Sequence, residues 1–305
     1  MRYKNNKKGD LEMKQTMKKL VTFCLAVVMI VTLLPAVPAK AATKTENLTL
    51  YVGEAIYVTN YYDVTKVTSS NKKVLAAAKD KENKSHANLT AKKAGTSTVT
   101  ITTKRGTMKY KVTVKKLSFD VKLTQLSEGE VLVSVKNNTK QTFDYAYVTY
   151  TLKGEDGAVL EKDKKMVDNL LPGKTSYAKI MYSTYDFTID INQCSGKITE
   201  VDRSINAKYT DRSSKVSITD TMDMDVNPGY ATLTLKLKNK VSNSVSGTVY
   251  IMLYDSGDKL IGVRPLSIFL KGSAVNTETV KIDTQYSYPT YDHYKLATRA
   301  YSKDY

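Results

Sequence analysis

LTAKKAGTSTVTITTKRGTMKYKVTVK, residues 89–115, decides how the rest of the chain is read. Val99 and Ile101 alternate with Thr98, Thr100 and Thr102. After a turn at Lys104-Arg105-Gly106, Met108, Tyr110, Val112 and Val114 alternate with Lys109, Lys111, Thr113 and Lys115. Alternation at period two sends one set of side chains into a core and the other into water. Gly95 and Gly106 stand where the chain must reverse, positions that favour positive φ. The stretch therefore predicts two strands joined by a tight hairpin, with Ile101 and Val112 inside.

The 305 residues leave room for two or three domains. There are 22 Tyr, 14 Gly, 6 Pro and no Trp, and no heptad pattern runs anywhere, so strands are favoured over helices. The continuous apolar run, Leu20 to Leu34, follows Lys18-Lys19 and precedes the small-x-small site Ala39-Lys40-Ala41. This is the layout of a signal peptide over residues 1–41, cleaved after Ala41. The run is shorter than the ~20 residues that a membrane span needs. Met13 or Met17 is an alternative start, and Cys24 has no lipobox around it. Cleavage leaves Cys194 alone, so no intrachain disulfide can form and each domain must rely on core burial. Cys194, with no His near it in sequence, reads as a small apolar residue beside a strand.

Charge is unevenly spread. Residues 42–116 hold 15 basic and 5 acidic residues, a net +10, whereas residues 117–305 hold 24 and 23, a net +1. Such asymmetry speaks about partners and not about fold.

Residues 46–59 read as strand, a Gly53-Glu54 turn, and strand. The run LYVGE, then Ser69-Ser70-Asn71 with Val74 behind, then LTAKKAGTSTVTI and a closing KYKVTVK, resembles a bacterial immunoglobulin-like domain of group 2. The resemblance covers nearly all of residues 43–116. It implies an Ig-like sandwich of a surface or secreted protein, acting as spacer, adhesion or wall-associated module without catalytic residues. Val67 stands where that family commonly has Trp, so its core is expected to be filled differently.

A repeat of about one hundred residues follows. VLVSVKNNT (131–139) is echoed by TLTLKLKNK (232–240), and YVTYTLKGEDGAVLE (147–161) by TVYIMLYDSGDKLIG (248–262). NLLPGKTS (169–176) is echoed by IFLKGSAV (268–275). Asp156-Gly157 and Ser256-Gly257 fall at equivalent hairpin turns. With Leu253-Tyr254-Asp255 and Ile251, the layout resembles the FxLYD-type secreted β-sandwich, and Tyr150, Leu152, Lys153 and Gly154 mark a more divergent first copy. The expected organisation is a signal peptide (1–41), a group 2 Ig-like domain (42–116) and two FxLYD-like sandwiches (117–207 and 208–305), with a polar linker at 205–215. The fold class is all-β, tandem Ig-like β-sandwiches behind the signal peptide.

Several motifs invite chemistry. Gly173-Lys174-Thr175 lacks the upstream Gly of a phosphate loop, Asp168 standing there, and reads as a β-turn. Asp223, Asp225 and Asn227 have the first spacings of a calcium loop, but Pro228 and Thr234 occupy the Gly and Glu positions. A solvated acidic loop is the expectation, with a calcium site at a domain junction the alternative, and no metal or cofactor is assigned. The tyrosine-dense C-terminus offers flat surface to sugars, or simply strand residues. His86 and His293 lie in different domains, and no nucleophile elbow accompanies the Asp292-His293 pair. A non-enzymatic, secreted or wall-associated binding or adhesion module is expected, or a spacer with no ligand of its own. No sorting motif with a hydrophobic tail closes the sequence, so covalent wall attachment is not expected. The candidate site is polyanion-binding: Lys109, Lys111 and Lys115 on the solvent face, with Lys92, Lys93, Lys104 and Arg105 at the hairpin ends. Anionic wall polymers, teichoic acids above all, or acidic glycans are the expected partners; nucleic acid is not, nor a membrane once the signal is removed. Lysines on an exposed strand otherwise stay solvated, or guard a sheet edge.

Overall fold

A computed structural model describes residues 44–127, 129–183, 188–224, 230–283, 287–288 and 290–304. The expected signal peptide lies outside the described residues, as do Asp225 and Asn227 of the acidic loop. Every regular element among the described residues is a strand, apart from a 3-10 turn at Ser213–Lys215. The all-β class is therefore what the chain adopts. The chain divides into two compact units, residues up to Lys115 with Ser204–Asn206, and Lys116–Arg203 with Ala207–Tyr305.

The first unit contains β1 (Lys44–Tyr51), β2 (Ala55–Thr59), β3 (Val64–Ser69), β4 (Leu75–Lys79), β5 (His86–Ala91), β6 (Gly95–Thr103) and β7 (Gly106–Lys115). They form two sheets, in the orders β1-β7-β6-β3 and β2-β5-β4. Leu50, Val99, Ile101 and Val112 from the first sheet meet Val58, Leu75 and Leu89 from the second in one core. Ile101 and Val112 are fully buried, so the period-two register holds. Residues 89–115 span three strands, however, because Leu89 to Ala91 close β5 in the other sheet. Lys92 and Lys93 make the crossover between sheets, both amides donating to the Val74 carbonyl. Gly95 follows at φ +148°, where a Cβ would lie 2.9 Å from Val74 Cγ2. A side chain there would have to push the core residue aside.

The Ser69-Ser70-Asn71 motif makes the other corner. Ser69 Oγ donates to the Leu75 carbonyl (2.7 Å), Thr98 N donates to Ser70 Oγ (2.8 Å), and Asn71 N donates to the buried Ser97 Oγ (3.1 Å). Short polar side chains here satisfy backbone groups that the sheet-to-sheet crossing would otherwise leave unpaired. Val67 packs partly buried against the same core.

The second unit holds both repeats. The first copy comprises β8 (Phe119–Ser127), β9 (Glu130–Asn137), β10 (Phe143–Lys153), β11 (Val159–Leu170), β12 (Thr175–Met181) and β13 (Ser195–Asp202). The second comprises β15 (Val216–Met224), β16 (Tyr230–Asn239), β17 (Val245–Tyr254), β18 (Leu260–Leu270), β19 (Val275–Asp283) and β20 (His293–Asp304). Between them, β14 (Lys208–Asp211) adds to the edge of β20, so the span 205–215 expected as a linker is partly strand. The copies pair identically: β11-β10-β13 with β12-β9-β8, and β18-β17-β20 with β15-β16-β19. One register shift also matches, falling between Leu152 and Lys153 in one and Leu253 and Tyr254 in the other, while the shifts at Tyr147/Val148 and Gln125/Ser127 belong to the first copy alone.

A buried asparagine closes each copy at the same place. Asn137 Nδ2 donates to the Gln141 and Leu170 carbonyls, both at 2.8 Å, while its Oδ1 accepts from Thr139 N (2.9 Å). Asn239 Nδ2 lies within bonding distance of the Asn243, Leu270 and Lys271 carbonyls (2.9, 3.3 and 2.9 Å), and its Oδ1 accepts from Val241 N (3.1 Å). Both side chains are fully buried. Each ties the loop after a central strand to the end of a strand in the other sheet.

The copies also pack on each other. Leu126 and Leu132 of the first share a buried cluster with Tyr250 and Val263 of the second. Asn169 Nδ2 donates to Thr248 Oγ1 (2.6 Å) and Arg299 Nε to the Thr175 carbonyl (2.8 Å). Asp144 of β10 accepts from Tyr209 Oη (2.8 Å), Tyr301 Oη (2.7 Å) and Lys303 Nζ (2.9 Å). Nearby Asp202 is held in its acid form up to about 6, first by burial and then by the Asp144 charge, with Lys303 and Arg203 pulling the other way.

Replacing Asn239 with Ala leaves buried carbonyls without a donor and should destabilise the second unit by roughly 2–4 kcal/mol. Calorimetry should show that unit's transition falling while the first unit's stays in place; an unchanged profile would remove the asparagine from its structural role. Because the folded chain keeps the Asp202 proton to higher pH than the unfolded chain, ionising it between about pH 4 and 6 costs stability. Asp202→Asn should therefore raise the Tm of this unit at pH 7 and have little effect at pH 4. A variant less stable than wild type at pH 7 would show instead that the charge is well compensated.

Candidate functional site

The outer face of the β1-β7-β6-β3 sheet carries the candidate site. Tyr110, Val112 and Val114 of β7 are buried, so Lys109, Lys111, Thr113 and Lys115 point outward and are exposed. Neighbours on this face follow from the register. Lys109 lies opposite Thr100 and Lys111 opposite Thr98 on β6, with Thr45 and Asn47 beside them on β1. Lys66 of β3 pairs with Thr102 and extends the basic row to the sheet's other side. The outward positions thus hold lysine, threonine, asparagine and tyrosine, and no carboxylate among them. Glu46 instead pairs with Lys44 at 2.7 Å; its charge and, more strongly, burial push the Tyr110 hydroxyl up to about 12.

The remaining expected residues sit at the two ends. Lys92 and Lys93 occupy the crossover ahead of β6, near Lys115, since Gly95 pairs with Val114. Lys104 and Arg105 form the two-residue turn at the opposite end, where the Arg105 guanidinium carbon lies 5.2 Å from the Tyr62 ring centre. Along β6 the two ends are separated by about 27 Å at ~3.3 Å per residue. All seven cations lie on one sheet face or its two ends. The sequence reading missed Lys66 and Tyr62. Period-two alternation in VTKVTS would have found Lys66, whereas the Tyr62 contact joins loops 43 positions apart.

Most decisive is the place of β7 in its sheet. It is hydrogen-bonded on both sides, to β6 antiparallel and to β1 parallel. Its lysines therefore do not guard an edge, which is the ordinary structural reason for a lysine-rich strand.

Other candidates are engaged elsewhere. The Gly173-Lys174-Thr175 segment is a turn in which Lys174 N donates to the Leu171 carbonyl (3.1 Å). Cys194 Sγ donates to the Asp190 carbonyl (3.2 Å) just ahead of β13. His293 has Asp292 at 3.0 Å from Nδ1 and Asp258 at 3.2 Å from Nε2, so both ring nitrogens face carboxylates. Of the C-terminal tyrosines, Tyr288 and Tyr301 are buried, at 2% and 7% exposure, and build core and interface, whereas Tyr291 and Tyr294 are half-buried at the surface.

No protein-family model matches the chain, and no curated protein matches it. Similar solved structures include the I9–I11 tandem of titin, 13% identical with a TM-score of 0.19, covering 78% of this chain and 96% of that one. Another is SGBP-B of a Bacteroides ovatus mixed-linkage glucan utilization locus, in complex with a mixed-linkage heptasaccharide (8% identity, TM-score 0.17, 84% and 73% covered). Trypsin-activated alpha-2-macroglobulin from Escherichia coli is a third (10%, 0.18, 84% and 22%). At these TM-scores the likenesses carry no argument, and the β-sandwich architecture stands on the strand pairing itself.

Proposed function

We propose that the chain is a non-enzymatic binding module of the bacterial exterior, secreted or wall-associated. It adheres to anionic wall polymers or acidic glycans through the outer face of its first domain. One observation carries this reading: Lys109, Lys111 and Lys115 stand exposed on a strand paired on both sides, in a face without carboxylates. Lys109 and Lys111 are about 7 Å apart along the strand and Lys111 and Lys115 about 13 Å, so the row presents charge at intervals to a polymer that repeats its own. Lysine contributes compact charge without demanding one ligand geometry, as retention on a polymer requires. The signal-peptide layout of residues 1–41 supports export, where such polymers are met.

Attraction of this kind releases counterions and weakens steeply with salt. Retention of the full chain on isolated wall material should fall between low and high salt. The combined Lys109→Glu, Lys111→Glu and Lys115→Glu variant should lose roughly tenfold or more in affinity at low salt. Equal retention of variant and wild type would overturn the proposal, and so would salt-independent retention.

A further inference from the structure

The basic face ends in an aromatic corner that charge attraction alone does not use. Tyr61 is 93% exposed and Tyr62 39% exposed. Their ring centres are 5.1 Å apart with planes at 77°, so the two rings form the walls of an open angle. Arg105 caps the Tyr62 ring from the hairpin tip, with Lys104 next to it and Lys66 in the strand that follows the tyrosines. The loop carrying the rings is pinned on either side. Asn60 N donates to the Ser85 carbonyl (2.9 Å) and Val64 N to the Lys84 carbonyl (2.8 Å). Asp63 lies in this corner as well, outnumbered by Lys66, Lys104 and Arg105.

Single exposed apolar residues are ordinary. Two adjacent rings held open to water, beside a guanidinium and on the rim of a cationic sheet, are a recognition surface in search of a flat apolar face. A bare polyanion has none. A sugar ring has one, since its C–H bonds form an apolar side that lies against a tyrosine, whose hydroxyl then meets sugar hydroxyls. Arginine's planar fork matches a carboxylate through two parallel hydrogen bonds. The threonine rows of the same face, with Thr98, Thr100 and Thr113 at outward positions, add donors and acceptors suited to hydroxyl-rich chains.

We propose that the ligand of the basic face is a polysaccharide bearing carboxylates on its sugar rings, with one ring seated in the Tyr61–Tyr62 corner against Arg105. This rests on the polyanion reading above and narrows it from charge to sugar. The lysine row then follows the carboxylates along the sheet, while the corner sets the preference for glycan over phosphate polymer.

The test uses the full chain and two soluble probes, polygalacturonate and long-chain inorganic polyphosphate, titrated at equal ionic strength. Tyr61→Ala should weaken polygalacturonate binding about fivefold, the size of one aromatic contact, and leave polyphosphate binding unchanged. Tyr61→Phe should keep polygalacturonate binding near wild type, because the stacking face survives. The triple lysine-to-glutamate variant should weaken both probes. If Tyr61→Ala affects both probes equally, or neither, the sugar inference fails while the polyanion reading stands. If the triple variant binds both probes as wild type does, the polyanion reading itself fails.

Discussion

Burial of Tyr110, Val112 and Val114 fixes the register of β7, and with it the direction in which three lysines point. A slip of one residue would drive Lys109, Lys111 and Lys115 into the core and their apolar neighbours into water, so the alternative is closed. The core of the first unit and its charged face are thus one decision, made by a strand ten residues long. Its two partners complete it: β6 returns through a two-residue turn, and β1 closes the other side in parallel. Since β7 has no free edge, its outward side chains are free of the duty to deter other strands.

The second unit applies the same rule twice and then departs from it. In β9, Val131, Val133 and Val135 face the copy's own core, yet Leu132 is also buried, and in β17 Tyr250 is buried between Val249 and Ile251. Those additional residues meet across the junction of the two copies. A half-buried sheet becomes buried on both faces when a second sandwich covers it. Polar groups drawn into that junction are paired, Asp144 most fully, with two donors from the other copy and one from Tyr209 of β14. Asn137 and Asn239 do the corresponding work at the ends of the central strands.

Much of this was legible in the sequence because the responsible contacts are local. Alternation is a property of neighbouring residues, and so are the Gly turns and the repeat's echoes at 131–139 and 232–240, which carry the paired asparagines as a shared Lys-Asn step. What the sequence hid depends on distant partners. The central position of β7 requires β1, some sixty residues earlier, to pair with it in parallel. The strand at Lys208–Asp211 looks like polar linker because it adds to an edge and buries little. Tyr61 and Tyr62 are unremarkable as letters; only the approach of Arg105 makes them a corner. Likewise the C-terminal tyrosines look like a surface platform until packing draws Tyr288 and Tyr301 inside.

In the second unit several lysines are paired, as with Lys303 on Asp144, Lys179 on Glu130, Lys164 on Glu200 and Lys295 on Asp258, while Lys236 and Lys238 stand exposed on β16, a strand also paired on both sides. In the first, among the described residues, no ion pair engages Lys109, Lys111 or Lys115. Lys109 and Lys111, about 7 Å apart along the strand, repel by about 0.6 kcal/mol in unscreened water, so their pairing costs the fold a little. Thr113 occupies the same row on the same strand, exposed like its neighbours, and shows that an uncharged β-former fits there. Charge stands at three of the row's four places, and these are the places that the polyanion proposal puts to use.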